Sequence, residues 1–545
     1  MSGPIEAAVN RVSEKKNSDP EALTDKDKKR KDTVFISDTK VFEDEEFATF
    51  YQPREDYEGR HRFVPDLKWS QEEERLLVRK IDWKIMLFTC IMFFALQIDR
   101  GNIHQALADN FLSDLKLNTN DFNYGQTIFL VSFLSAEVPS QMISKRLGPD
   151  NWIPIQMMTW SIVATSQAWI NGRATFYVTR ALLGLLEGGF IPDVVLYLTY
   201  FYKNNELPIR LSWFWTSLTV TNIISAFLAF GLLRMRGING WAGWQWLFAL
   251  EGIVTLCIGI FSFFYLPPSP TQTASSFRGK NGWFNEREEQ IMVTRILKDD
   301  PSKGDMHNRQ AITPRKMWLT LKDFDLYPIY FVGLSHLVPN ASPSQYLTLT
   351  IRAMKFDTYT TTLLTVPASI ASIFSLLLIT KFSEWRNDKT LVNIINQVYN
   401  VIFLTILIFL PNNANVWVRY AVVLLVIAHP NCHAVVVAWT SRNAGSVRTR
   451  TIASALYNMA VQIGGIAGSN IYREDDKPFY HRGNRILVGV AAFNLFSYLL
   501  IRVYYKKRNA WKKAKWDAMT ATEQVNYLKT TEHKGNKRLD FRFAY

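Results

Sequence analysis

The chain has 545 residues and a formal net charge of +14, and 48% of it is hydrophobic and 14% aromatic. Its mean hydropathy is still near zero, because apolar runs alternate with polar stretches at 1–80, 268–325 and 506–545. Apolar runs of about 20 residues are what helices need to cross a bilayer, which excludes a soluble globular protein. The basic residues crowd into the tails and the central polar stretch. That distribution suits surfaces facing an anionic leaflet and not a nucleic-acid-reading face, so no nucleic-acid partner is expected.

In chain order the pattern predicts an N-terminal cytoplasmic tail (1–81) and then a bundle over 82–266. Its spans 1 to 6 fall at roughly 82–107, 124–144, 152–171, 174–201, 210–233 and 245–266. A cytoplasmic linker (267–325) follows, in which NEREEQIMVTRIL (285–297) has the spacing of an amphipathic helix on the inner surface. Spans 7 to 12 at roughly 326–350, 359–381, 389–411, 416–438, 450–472 and 485–505 make a second bundle over 326–505, and 506–545 is a cytoplasmic tail. The predicted fold class is therefore an all-α membrane protein, with twelve transmembrane helices in two six-helix bundles. The basic runs KDKKRK (26–31) and KKRNAWKKAK (506–515) place both termini inside. Cys90, Cys257 and Cys432 each lie in an apolar run and imply no disulfide framework. The charged N-terminus lacks the short apolar core of a signal peptide, so span 1 is expected to act as its own insertion signal.

The two halves echo each other. Span 5 begins at Arg210 and turns into SLTVTNIISAFLAFG; span 11 begins at Arg448 and Arg450 and turns into SALYNMAVQIGGIAGS. Small residues let helices approach closely in lipid, and paired halves are what an alternating-access transporter needs.

Charges inside the spans then become functional candidates, since each costs about 2.5–3.5 kcal/mol at mid-bilayer on insertion scales. They are Asp99 and Arg100 in IMFFALQIDRGNIHQA (91–106), Glu137 in span 2, and Arg180 and Glu187 in span 4. Adjacent helical residues point about 100° apart, so Asp99 and Arg100 cannot serve one site. Arg100 is expected to meet the substrate, its planar fork suiting carboxylate, sulfonate or phosphate oxygens. Asp99 is expected to hold a neighbouring helix. Glu187 follows Arg180 on roughly the same face, about 10 Å along the axis, and is the expected proton carrier. Arg180 by itself reads as a clamp. Glu137, near Pro139, reads as a gating or packing contact. In the second half the polar candidates are His336, Asn340 and Gln345 in span 7, His429, Asn431 and His433 in span 10, and Asn458 and Gln462 in span 11. The Asn340 sequon lies inside a span and is discounted. Pro339 and Pro343 are expected to break span 7 near the cavity. Trp213 and Trp215 read as packing aromatics, with substrate stacking open to one of them.

The motif Arg-x-x-x-Gly-x-x-Glu-Gly-Gly-x-x-Pro in RALLGLLEGGFIPDVVLYLTYFYK (180–203), after DRGNI on span 1, resembles the anion:cation symporter branch of the major facilitator superfamily. NGWFNEREEQIMVTRIL, ALYNMAVQIGGIAGSNIYREDDKPFYHRGN and WQWLF fit its fungal allantoate-permease group, and the likeness runs from about residue 70 to 540. Within that group the chain is most similar to yeast transporters of sulfonates and inorganic sulfur anions. The resemblance implies proton-coupled import of a small anion across the plasma membrane. Arg100 would be the central ligand, and Glu187 with its companion Arg180 would couple the proton. It sets His336 where animal relatives have a second arginine, and Gln126 where they have a histidine. The loop signature of the superfamily survives only as SKRLGPDNW (144–152), leaving Lys145 and Arg146 as gate contacts. No Walker sequence, metal cluster or nucleophile elbow is present, so neither an enzyme nor a cofactor beyond the proton is expected. A monomer in the bilayer with a small-molecule partner completes the reading. An exporter or exchanger of amphipathic compounds on the same fold, and a sensor that no longer transports, are the alternatives.

Overall fold

The structure is a computed structural model that describes residues 53, 55, 57–203, 206–299, 318, 322–386, 388–444, 447–531 and 535–545. The basic run at 26–31 and the side chains of Lys145, Arg448 and Arg450 lie outside what is described. The twelve predicted spans are all helical, and among the described residues eight helices are long and apolar enough to cross a membrane. The rest are broken or polar, for identifiable reasons. Span 7 falls into Tyr327–Gly333, Val338–Gln345 and Leu347–Ala353, with Pro328 and Pro339 each starting a piece. Proline lacks the amide proton that an ongoing helix needs and suits the first turn of a new one. Span 10 splits at Pro430 into Val416–Ile427 and His433–Asn443. Span 4 is one of the eight, although a turn at Gly188 and Gly189 divides it into Arg173–Glu187 and Phe190–Leu198.

Span 1 starts earlier than expected. Ser70 caps a helix at Gln71–Ile81 with a reciprocal bond to Glu73, and a π-turn over Asp82–Met86 carries it into Leu87–Ala106. The charged residues before Asp82 thus belong to the same rod, because the capping box starts the helix before the apolar run does. Span 12 likewise runs from His481 to Asp517, since nothing in its basic end breaks a helix. The linker helix Glu286–Asp299 packs against protein along its length. Ile291, Met292 and Ile296 enter the core of the first half, and its charges pair as Arg62–Glu289 (2.9 Å), Lys80–Glu288 (2.8 Å) and Arg295–Glu206 (2.9 Å).

We call the end where span 1 begins the tail face and the opposite end the far face. At the far face the halves are tied together by polar contacts. Thr119 N donates to Glu474 Oε2 (2.8 Å), Asn123 Nδ2 to the Tyr472 carbonyl (2.7 Å) and Thr348 Oγ1 to the His104 carbonyl (2.6 Å). The Tyr346 hydroxyl bonds Asn123 as well. Among the described residues, ion pairs at the tail face stay within one half, as in Arg210–Asp82 (3.0 Å) and Arg508–Asp325 (3.1 Å).

Spans 2 and 4 meet backbone to backbone. A Cβ on Gly184 would sit 2.3 Å from the Phe129 carbonyl oxygen, and one on Gly188 would sit 2.5 Å from that of Phe133. Gly184→Ala must therefore push the two spans apart. It is expected to cost about 1–3 kcal/mol as an overpacked contact and to lower the melting temperature of the purified protein. Gly231→Ala, with nothing within 4 Å of the added carbon, should leave it unchanged.

Candidate functional site

The glycine contact brings the charged residues of span 4 against spans 1 and 2. Arg100 Nε donates to Glu187 Oε2 at 2.6 Å, with side-chain exposures of 20% and 1%. The Arg100 guanidinium also lies 4.7 Å from the Phe133 ring centre. Arg180 is fully buried; its Nη2 donates to Gln126 Oε1 at 3.2 Å, and its guanidinium lies 4.5 Å over Phe129. Among the described residues Arg100 alone makes an ion pair with Glu187, and aromatic faces lie against both guanidiniums, an attraction that strengthens when water is excluded. Arg100 Nη2 and Glu187 Oε1 have no hydrogen-bond partner among the described residues. Arg100 is the member that solvent reaches. This group can hold an anion on the free edge of Arg100, and it can exchange the Glu187 partner for one.

Asp99 turns the other way. Its Oδ2 accepts from Trp160 Nε1 of span 3 at 3.1 Å, so the two neighbouring charges serve different helix faces. Gln126 joins the arginines, as described. His336 is shut away: it has no exposure, and its Nδ1 lies 2.8 Å from the Tyr498 hydroxyl. Asn340 and Gln345 are buried on the middle piece of span 7, and neither amide atom of Asn340 has a partner among the described residues. Asn458 is half-buried on span 11. His429 packs at a helix break, its Nδ1 3.1 Å from the Ile427 carbonyl oxygen. The expected gate residues stand apart from this group. Glu137 is buried further along span 2, and Arg146 is exposed at its tail end.

Two features escape the sequence reading. Phe129 and Phe133 form with Glu137 an i, i+4, i+8 stripe, and that spacing is the signal that finds them. The intramembrane charges read from the sequence also omit Glu251, although it stands eight residues into span 6. It is 3% exposed, and neither carboxyl oxygen has a hydrogen-bond partner among the described residues.

Comparison with known proteins fits this architecture. A transporter of Saccharomyces cerevisiae, YIL166C, is 44% identical over 490 residues, covering 90% of each chain. A putative tartrate transporter of Agrobacterium vitis is 31% identical over 43% of this chain and 50% of its own length. The crystal structure of a D-xylose-proton symporter shares the fold, with a TM-score of 0.58 at 14% identity over 78% of this chain and 97% of that one. Residues 89–469 match the Major Facilitator Superfamily. The chain belongs to that superfamily and is a multi-pass membrane transporter, not an enzyme.

Proposed function

We propose that the chain is a proton-coupled symporter that imports a small organic or sulfur-containing anion by alternating access. The observation that carries this reading is the Arg100–Glu187 pair: one guanidinium edge is contested by a fixed carboxylate and by any incoming anion. When Glu187 takes a proton it stops competing, and Arg100 turns its positive charge to the solute. The halves then rock, Glu187 loses its proton toward the tail side, and the ion pair re-forms as the anion leaves. A closed far face with the pair made fits a step of this cycle in which no anion holds Arg100. The buried Arg180 keeps the region positive through the cycle without being consumed by a carboxylate of its own. The name of the tartrate transporter relative supports an anionic solute. The motif likeness to the allantoate-permease group supports sulfonates, sulfate-type anions, allantoate or small carboxylates. In this reading the tails and linker face the cytoplasm of a plasma-membrane protein, as their basic runs favour.

Growth of a transporter-deficient yeast on single sulfur or nitrogen sources, with and without this chain, identifies the solute; rescue on at least one such anion is expected. With the rescuing anion, Arg100→Ala should lower uptake affinity by roughly ten- to a hundred-fold, the worth of a hydrogen bond to a charged group. Unchanged affinity removes Arg100 as the ligand. Glu187→Gln should still exchange the anion across the membrane but fail to accumulate it under an inward proton gradient, whereas uphill uptake by this variant removes the coupling role.

The same pair predicts a stability pattern independent of any solute. Arg100→Gln leaves a buried carboxylate without its cation and should destabilise by about 3–5 kcal/mol. Glu187→Gln keeps a carbonyl acceptor for Nε and should cost less. The double variant should recover part of the Arg100→Gln loss, as a double-mutant cycle on melting in detergent would read.

A further inference from the structure

Between the Arg100 level and the tail face, rings from both halves meet. Trp215 of span 5 and His433 of span 10 make an edge-to-face contact, with ring centres 6.2 Å apart at 85°. Both side chains are half-buried. Each is braced from behind within its own half. Trp215 packs edge-on against Phe93 of span 1 (5.7 Å, 84°), and Phe93 is itself stacked on Phe214 (3.8 Å). His433 stacks on Tyr457 of span 11 (5.7 Å, 25°), whose hydroxyl lies 3.5 Å from His433 Nδ1. Tyr457 in turn lies flat on span 7, where a Cβ on Gly333 would come 3.0 Å from its ring. Phe93, Trp215, His433 and Tyr457 thus form one chain of rings from span 1 across to span 11. Phe93 precedes Arg100 by seven residues, so this chain stands about 10 Å nearer the tail face.

We infer that Trp215 and His433 are the tail-side gate of the transporter, the pair that must part before a solute at Arg100 can leave. Three features support this. The contact crosses the two halves on the side opposite the far-face hydrogen bonds. It is a weak ring-edge contact with no ion pair, so it opens without stranding a buried charge. Its two members are rigidly backed, so they swing with their helices and do not merely rotate out of the way. The gate acts on whatever solute the central site accepts and goes beyond the importer reading above; its test needs no solute.

Gly101, beside Arg100, is half-buried and has open space where a Cβ would be. In the full chain with Cys90, Cys257 and Cys432 replaced by serine, Gly101→Cys gives a thiol behind the gate. A membrane-impermeant maleimide added from the tail side of oriented vesicles should label it slowly. Trp215→Ala and His433→Ala should each raise that rate at least ten-fold, and Trp215→Phe should not. Labelling from the far side should stay equally slow in all of them. An unfolded variant would instead label from both sides, and His433→Leu then replaces the alanine variant. Fast tail-side labelling in the parent, or equal rates in parent and alanine variants, overturns the gate.

Discussion

The structure depends on an ion pair placed where charge is expensive. Arg100 and Glu187 come from spans that the chain separates widely, and they meet at 2.6 Å because span 4 can lie directly on span 2. That approach is possible only with hydrogen at positions 184 and 188. The glycines of the span 4 motif are therefore geometry first: they set the distance at which Glu187 reaches Arg100 and Arg180 reaches the Phe129 ring. A buried pair of this kind stabilises little by itself, since desolvation offsets most of the attraction. What it provides is a choice of partner for one guanidinium, and a choice of partner is what couples two ligands.

The two halves divide the work unequally. The first half holds Arg100 and Arg180, the glutamates at 137, 187 and 251 and the aspartates at 99 and 193. The second half buries mostly neutral groups, His336 and Asn340 on span 7 and Asn393, Asn396, Gln397 and Asn400 in a row on span 9, with Asp325 and Arg419 buried beside the starts of spans 7 and 10. Neutral amides can be rearranged against a moving partner at small cost, whereas an unpaired charge cannot. A half that carries the central charges and a half that presents mostly neutral groups to it is a physically sensible division for alternating access. The contacts between them follow the same logic, with hydrogen bonds holding the far face shut and rings meeting on the tail side.

Much of this was legible in the sequence. Run length and positive charge mark the spans, and Pro339 marks one break of span 7, whereas Pro343 sits inside the piece Val338–Gln345 and does not interrupt it. The charges in spans 1 and 4 stood out because nothing apolar explains them. What the sequence could not supply was relative placement. Nothing in the spacing of Arg100 and Glu187 says that they touch, because helix contacts depend on which residues are small on a third helix face. Helix ends were misjudged for a related reason. Span 1 begins at Gln71 because Ser70 and Glu73 cap it, and span 12 reaches Asp517 because lysine-rich sequence is compatible with helix; a membrane boundary is not a helix boundary. Glu251 is visible as a charge near the start of span 6, but its spacing does not show that the carboxyl is buried without a partner among the described residues.

The polar appendages follow the same division into halves. The linker helix is fastened to the first half through Arg62, Lys80 and Arg295, and the buried Arg295 also donates to the Phe201 carbonyl (2.7 Å) at the end of span 4. Residues 541–545 are fastened to the second half. Asn443 bonds both the amide and the carbonyl of Ala544 (2.9 and 3.1 Å), Asn509 does the same for Phe543 (2.8 and 2.9 Å), and Trp439 Nε1 adds a bond to the Ala544 carbonyl (2.8 Å). Each of these attachments can ride with its own bundle when the halves rotate against each other. The cost of rocking then falls on the contacts that do cross, the far-face hydrogen bonds and the central rings, and leaves the polar surface of each half intact.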